Sequence, residues 1–105
     1  MITWSSAPSV RSERYRRFVA SLPCISCGRE GASQCAHSNS PEHGKSAGVK
    51  ASDLATFPLC APAGGRMGCH AMFDLGVMFT REERREVTRR WIEQTQARAR
   101  EEGLL

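Results

Sequence analysis

No apolar run in the 105 residues approaches about 18, so no segment is expected to span a membrane. The first residues lack a basic stretch followed by an apolar one, so no secretory signal is expected and the cytoplasm is the expected compartment. There is no internal repeat and no low-complexity tract. Lysine is nearly absent: Lys45 and Lys50 stand alone, and arginine carries the rest of a net charge of +4. A chain this short makes one domain at most, read here as 1–105, and its core is thin enough for a metal staple to matter. Cysteine is not scarce. There are 5, an odd number, which in a chain with no export signal favours a reduced compartment and metal ligation over a disulfide framework.

Four of the cysteines fall in two turns distant in sequence, Cys24-x-x-Cys27 and Cys60…Cys69. A thiolate quartet built from two such turns is how structural zinc ties a small domain together. The gap from Cys60 to Cys69 is longer than usual for a knuckle, and Gly64, Gly65 and Gly68 would let that stretch fold out. Cys35 is out of register with both pairs and reads as a small buried residue on a strand. His37 and His70 lie beside the quartet without being needed by it, which suggests a second site.

The arginines concentrate in two clusters. Arg11, Arg14, Arg16 and Arg17 have only Glu13 among them, whereas Arg81, Arg84, Arg85, Arg89 and Arg90 alternate with Glu82, Glu83, Glu86 and Glu93 at helical spacing. The planar guanidinium fork suits phosphate oxygens, so DNA is the expected partner, and Arg14, Arg16 and Arg17 are the better candidate contacts. The second cluster has the pattern of a solvated, ion-paired helix face.

Tyr15, Phe18, Val19 and Leu22 recur at helical spacing and predict a helix over 9–22, ended by Pro23. A metal-knuckle turn follows, with Gly28 at its tip. Residues 32–38 are β-prone, 39–52 form a loop, 54–59 return as an apolar strand, and 69–76 are helical. Thr80 and Glu83 form a capping box with Phe79 as a candidate staple, opening a helix over 80–102 with Val87, Trp91 and Ile92 as its apolar stripe. Trp4 and Trp91 read as core or interface residues. The expected fold is α+β: a strand–loop–strand–helix core over 24–76 with a four-cysteine zinc knuckle, flanked by N- and C-terminal helices.

That order resembles the HNH, or ββα-metal, endonucleases. It is most similar to the small zinc-knuckle subgroup carried by lambdoid prophages, the YbcO and Ref type. The shared elements are Cys24-Ile25-Ser26-Cys27-Gly28, Gln34-Cys35-Ala36-His37-Ser38-Asn39, Gly44-Lys45, Lys50-Ala51-Ser52-Asp53, Pro58-Leu59-Cys60 and Gly68-Cys69-His70…Asp74. They cover about half the chain, each weak alone but in one order and spacing. The resemblance implies a ββα-metal core and hydrolysis of DNA phosphodiesters in phage or prophage recombination or DNA processing, with recombination proteins as further partners. It implies His37 as general base and His70 as ligand to a catalytic Mg2+, Mn2+, Ni2+ or Zn2+ ion. A neutral histidine suits the first role, and one divalent metal can supply the Lewis acid. Asp74, four residues after His70, faces the same side of a helix and is the second expected ligand. Lys45 and Lys50 are the expected loop contacts to phosphate. Asp53 stands where the family often has a bracing asparagine, so it is expected to brace the loop rather than act in catalysis.

One departure bears on the site. Many HNH proteins carry an aspartate or histidine just before the base, where it binds the metal; here that residue is Ala36. The shell would then be completed by His43, Asn39 or water. The alternative reading is a non-catalytic zinc-ribbon adaptor that holds nucleic acid or a recombination partner. The two histidines favour the enzyme and Ala36 favours the adaptor. The pattern does not specify an oligomeric state.

Overall fold

A computed structural model describes residues 11–39 and 51–105. Its elements are α1 (Glu13–Ser21), β1 (Ser33–His37), β2 (Thr56–Cys60), α2 (Gly68–Asp74) and α3 (Arg81–Glu101). The fold is α+β, as the sequence pattern predicts. Among the described residues, no helix is long and apolar enough to cross a membrane. Trp4, His43, Lys45 and Lys50 lie outside the described residues, as does the start of the helix predicted from residue 9.

Within the described residues α1 begins at Glu13 because Ser12 caps it. The Ser12 hydroxyl accepts from the Tyr15 backbone N–H, and Glu13 adds an acidic side chain to the first turn. Pro23 follows the last turn, and Leu22 is already extended. At the start of α3, the capping box forms as read: Thr80 accepts from the Glu83 N–H, and the Glu83 carboxylate accepts from the Thr80 N–H. Its far end closes by Leu104 N–H to Ala99 O and Gly103 N–H to Arg100 O, with Gly103 at φ +75. That is a Schellman stop, and Leu104 folds back onto the cluster that contains Ala99.

The strands pair antiparallel, Ser33 opposite Cys60 and His37 opposite Thr56. Every residue of β2 is buried. On its outer edge the Ile25 N–H donates to the Pro58 carbonyl at 2.9 Å, so the knuckle closes the side that β1 leaves open. Strand alternation sorts side chains onto two faces. Ala36, Phe57 and Leu59 join Phe73, Val87, Trp91 and Ile92 on the side of α2 and α3, while Cys35 packs with Tyr15, Val19 and Ala99 on the side of α1. In the larger cluster Phe57, Phe73 and Trp91 stack with centroids 5.4–5.8 Å apart, and Phe79 packs edge-on against Trp91 at 5.9 Å. Phe79 thus packs on α3 at Trp91, not at Arg84, the position that a hydrophobic staple would use. The Arg84 guanidinium lies 4.3 Å over the Phe73 ring, a cation held on an aromatic face.

The buried face of α3 is more polar than its apolar stripe suggests. Thr88, Thr95 and Gln96 are buried with Val87, Trp91 and Ile92. Thr95 donates to the Trp91 carbonyl at 2.7 Å, and the Gln96 amide donates to the Leu54 carbonyl at 2.8 Å. Those bonds let a helix of polar sequence dock on the sheet without leaving these donors unmatched.

Candidate functional site

Three structural features converge on the four-cysteine cluster. The knuckle turn is closed by Cys24 N–H to Arg29 O and Gly28 N–H to Cys24 O, both 2.8 Å, and needs Gly28 at φ +81. Cys60 ends β2, and Cys69 opens α2. The long connection between them folds out as a tight hairpin: Ala63 and Arg66 exchange backbone hydrogen bonds around Gly64 and Gly65, at φ +56 and +76.

The four sulfurs all lie within 4.8 Å of one another, and Cys27 Sγ is 3.8 Å from Cys60 Sγ. Zn–S bonds of about 2.3 Å place the corners of a tetrahedron about 3.8 Å apart, so the quartet could hold one metal such as zinc. The Cys69 backbone N–H donates to Cys60 Sγ at 3.3 Å. That bond, with further hydrogen bonds from neighbouring thiols, outweighs burial and brings the Cys60 thiol down to about 7. A sulfur already disposed to be a thiolate suits a metal ligand.

Gly68 is fixed by this approach. At φ +82, a Cβ there would stand 2.7 Å from the Ala61 carbonyl carbon and oxygen. Gly68→Ala should cost about 1–3 kcal/mol from backbone strain alone, before the contact with Ala61 is relieved. Urea unfolding would show it as a lower midpoint; a midpoint equal to the parent's would mean that the close approach does not exist in solution.

His37 occupies the end of β1 on the α1 face. Its Nε2 lies 2.8 Å from Asp53 Oδ1, with the ring one-fifth exposed and the carboxylate 1% exposed. Asp53 sits in the turn entering β2, where Ala55 N–H donates to Ser52 O and the Thr56 hydroxyl donates to the Asp53 carbonyl at 2.7 Å. Thr56 is the cross-strand partner of His37, so this turn delivers the carboxylate beside the ring. Its Oδ2 also accepts from the Ser12 N–H at 2.6 Å and from the Arg16 guanidinium, and Arg11 lies 3.6 Å from Oδ1. The Asp53 carboxylate thus ties His37 to Ser12 and Arg16 at the start of α1.

Burial alone would raise the Asp53 carboxyl. Hydrogen bonds from His37, from the Ser12 backbone and from Arg16, together with the Arg16 charge, hold it below its ordinary value of 3.8. The folded state therefore gives up this proton more readily than the unfolded chain. The stability it contributes is complete above the ordinary value and is lost as pH falls through the lowered one. Compared with Asp53→Asn, the parent should have a higher urea midpoint near neutral pH, and the gap should close below about pH 4. A gap that does not change with pH would remove the ionised network from the account.

His70 lies on the other face of the hairpin. Its Nδ1 is 2.8 Å from Gln34 Oε1, and its Nε2 is 3.5 Å from Asp74 Oδ2. An Nδ1–H bonded to Gln34 leaves the Nε2 lone pair beside the Asp74 carboxylate, a donor set that suits a divalent cation. Among the described residues, no third His, Cys, Asp or Glu joins this pair closely enough to share an ion. Ala36, where a further ligand would stand, is fully buried in the core. The structure does not bring His37 and His70 together: Gln34 and His37 are three residues apart on β1, about 10 Å, and alternate to opposite faces.

The first arginine cluster divides. Arg16 is engaged by Asp53, Arg17 pairs with Glu13 at 2.7 Å one turn away, and Arg14 is exposed. Arg11, the remaining member of that cluster, donates to the Ala51 carbonyl at 2.7 Å. Cys35 is partly buried, as its position on the strand suggested, and burial raises its thiol. No family model, curated protein or solved structure matches the chain.

Proposed function

We propose that the protein is a metal-dependent DNA endonuclease of HNH type, with structural zinc in the Cys24, Cys27, Cys60 and Cys69 quartet. The observation that carries the reading is His37, partly exposed, with the Arg11 and Arg16 guanidiniums gathered beside it by one buried carboxylate. A base next to two cationic forks suits hydrolysis of a phosphodiester. His37 takes a proton from water as its oxygen attacks phosphorus. The positive charge that Asp53 gathers there, from Arg16 above all, would stabilise the charge that builds on the phosphate.

His70 and Asp74 are the residues that would hold a divalent ion; across the hairpin from His37, that ion would anchor the DNA through its phosphates rather than assist the oxygen that leaves at His37. Gln34 keeps His70 oriented for that role. Arg14 and Arg17 would meet the duplex away from the scissile bond. Phage or prophage recombination is the setting that fits the resemblance.

Two observations favour a second reading, a zinc-stabilised adaptor that binds nucleic acid without cutting it: Ala36 is buried, and the His70–Asp74 pair has no third protein ligand among the described residues. A nicking assay on plasmid and branched DNA, with Mg2+, Mn2+, Ni2+ or Zn2+ added, separates the two. Cleavage with at least one of these metals supports the nuclease. Salt-dependent binding with no cleavage under any of them supports the adaptor.

A further inference from the structure

We propose that Asp53 is the positioning residue of the His37 centre: it holds the imidazole as its Nε2–H tautomer, so that Nδ1 is the atom that takes the proton. The proposal rests on the reading of His37 as general base and adds which nitrogen acts and what selects it. A carboxylate can only accept, so a 2.8 Å approach of His37 Nε2 to Asp53 Oδ1 requires the proton on Nε2. The other ring nitrogen then carries the lone pair.

The carboxylate is built to keep that task. It is 1% exposed, and the Ser12 N–H and the Arg16 guanidinium both bond Oδ2, which directs Oδ1 to the ring. The backbone beneath it is fixed by the Thr56 hydroxyl and the Ser52–Ala55 turn, so the side chain has little freedom to turn away. Bracing the loop needs only the bonds to α1. The bond to His37 is additional, and it fixes both the tautomer and the plane of the ring.

The proton balance is simple. A water O–H bond breaks, its proton passes to the Nδ1 lone pair, and the electron pair stays on oxygen, which bonds phosphorus. The P–O bond to the leaving ester oxygen breaks, and that oxygen leaves with the pair and takes a proton from solvent. The imidazolium formed lies against an ionised carboxylate, and it returns the proton from Nδ1 to solvent before the next turnover.

The test is long-range 1H–15N NMR on the full chain labelled at histidine, at mildly alkaline pH where imidazoles are neutral. The expected result for His37 is a protonated Nε2 and a bare Nδ1. Asp53→Asn, whose amide can donate to Nε2, should shift the ring toward the opposite tautomer and lower kcat on plasmid DNA by about 10²-fold or more, on the order seen for a wrong tautomer, with KM little changed. The parent spectrum alone decides the tautomer even where Asp53→Asn does not fold. A bare Nε2 in the parent overturns the proposal, as does Asp53→Asn with parental kcat. An Nε2–H tautomer in a parent that cuts no DNA would leave the positioning intact and remove the nuclease reading instead.

Discussion

Chelation of the metal should unfold the domain, and purified protein should contain about one tightly held zinc per chain. The expectation follows from where the sulfurs come from. Cys24 and Cys27 belong to the turn after α1, Cys60 ends the central strand and Cys69 opens α2, so one ion would join three parts of a chain with a small core. Structural zinc of this kind contributes roughly 10–16 kcal/mol of apparent binding free energy at neutral pH, as much as or more than the whole stability of a small domain. Loss of the ion should therefore appear as loss of cooperative melting rather than as a small shift in Tm. Cys60→Ser should be among the most damaging single changes, because Cys60 is buried at the end of β2 and also accepts the Cys69 N–H. Cys35→Ser, outside the quartet, should keep the full zinc content. Metal-free protein that melts at the parent's temperature would sink the zinc assignment.

The second large effect belongs to the histidines, which should fail in different ways. On the proposed mechanism His37→Ala would remove the proton acceptor and should lower the cleavage rate by roughly 10²–10⁴, while the binding of added divalent metal should be unchanged. His70→Ala should instead weaken that metal binding, so that a high metal concentration restores part of the rate. Asp74→Ala should resemble a milder His70→Ala, since Asp74 faces the same Nε2 across 3.5 Å. Titrating Mn2+ against the initial nicking rate separates the cases: a lowered plateau for His37→Ala, a shifted midpoint for the other two. If all three variants shift only the midpoint, His37 is a ligand and not the base.

What could be read in advance divides by how local its cause is. The α3 capping box was legible because Thr80 and Glu83 satisfy each other within one turn, and the cysteine quartet because ligand spacing is a local signature even when the two turns are far apart. The Ser12 cap left a weaker trace, a serine followed by an acidic residue just before the apolar spacing. Asp53 was expected to brace the loop, whereas the partners of its carboxylate stand 16, 37 and 41 residues away, at His37, Arg16 and Ser12. No pattern of neighbours announces such a network; only the folded turn does. The same holds for the two histidines. Alternation along β1 puts Gln34 and His37 on opposite faces, but that His70 takes Gln34 as its partner depends on how α2 packs on the sheet. The polar part of the α3 interface was hidden for a related reason, since Gln96 is buried only because the Leu54 carbonyl is there to receive it.

The central claim is that metal-held structure and histidine chemistry are separate in this chain. Zinc content and plasmid-nicking rate, measured on the same preparation of His37→Ala beside the parent, test it most directly. The account predicts an unchanged zinc stoichiometry and Tm with the rate reduced by roughly 10²–10⁴. Parental cleavage by His37→Ala, or loss of zinc together with activity, would contradict it.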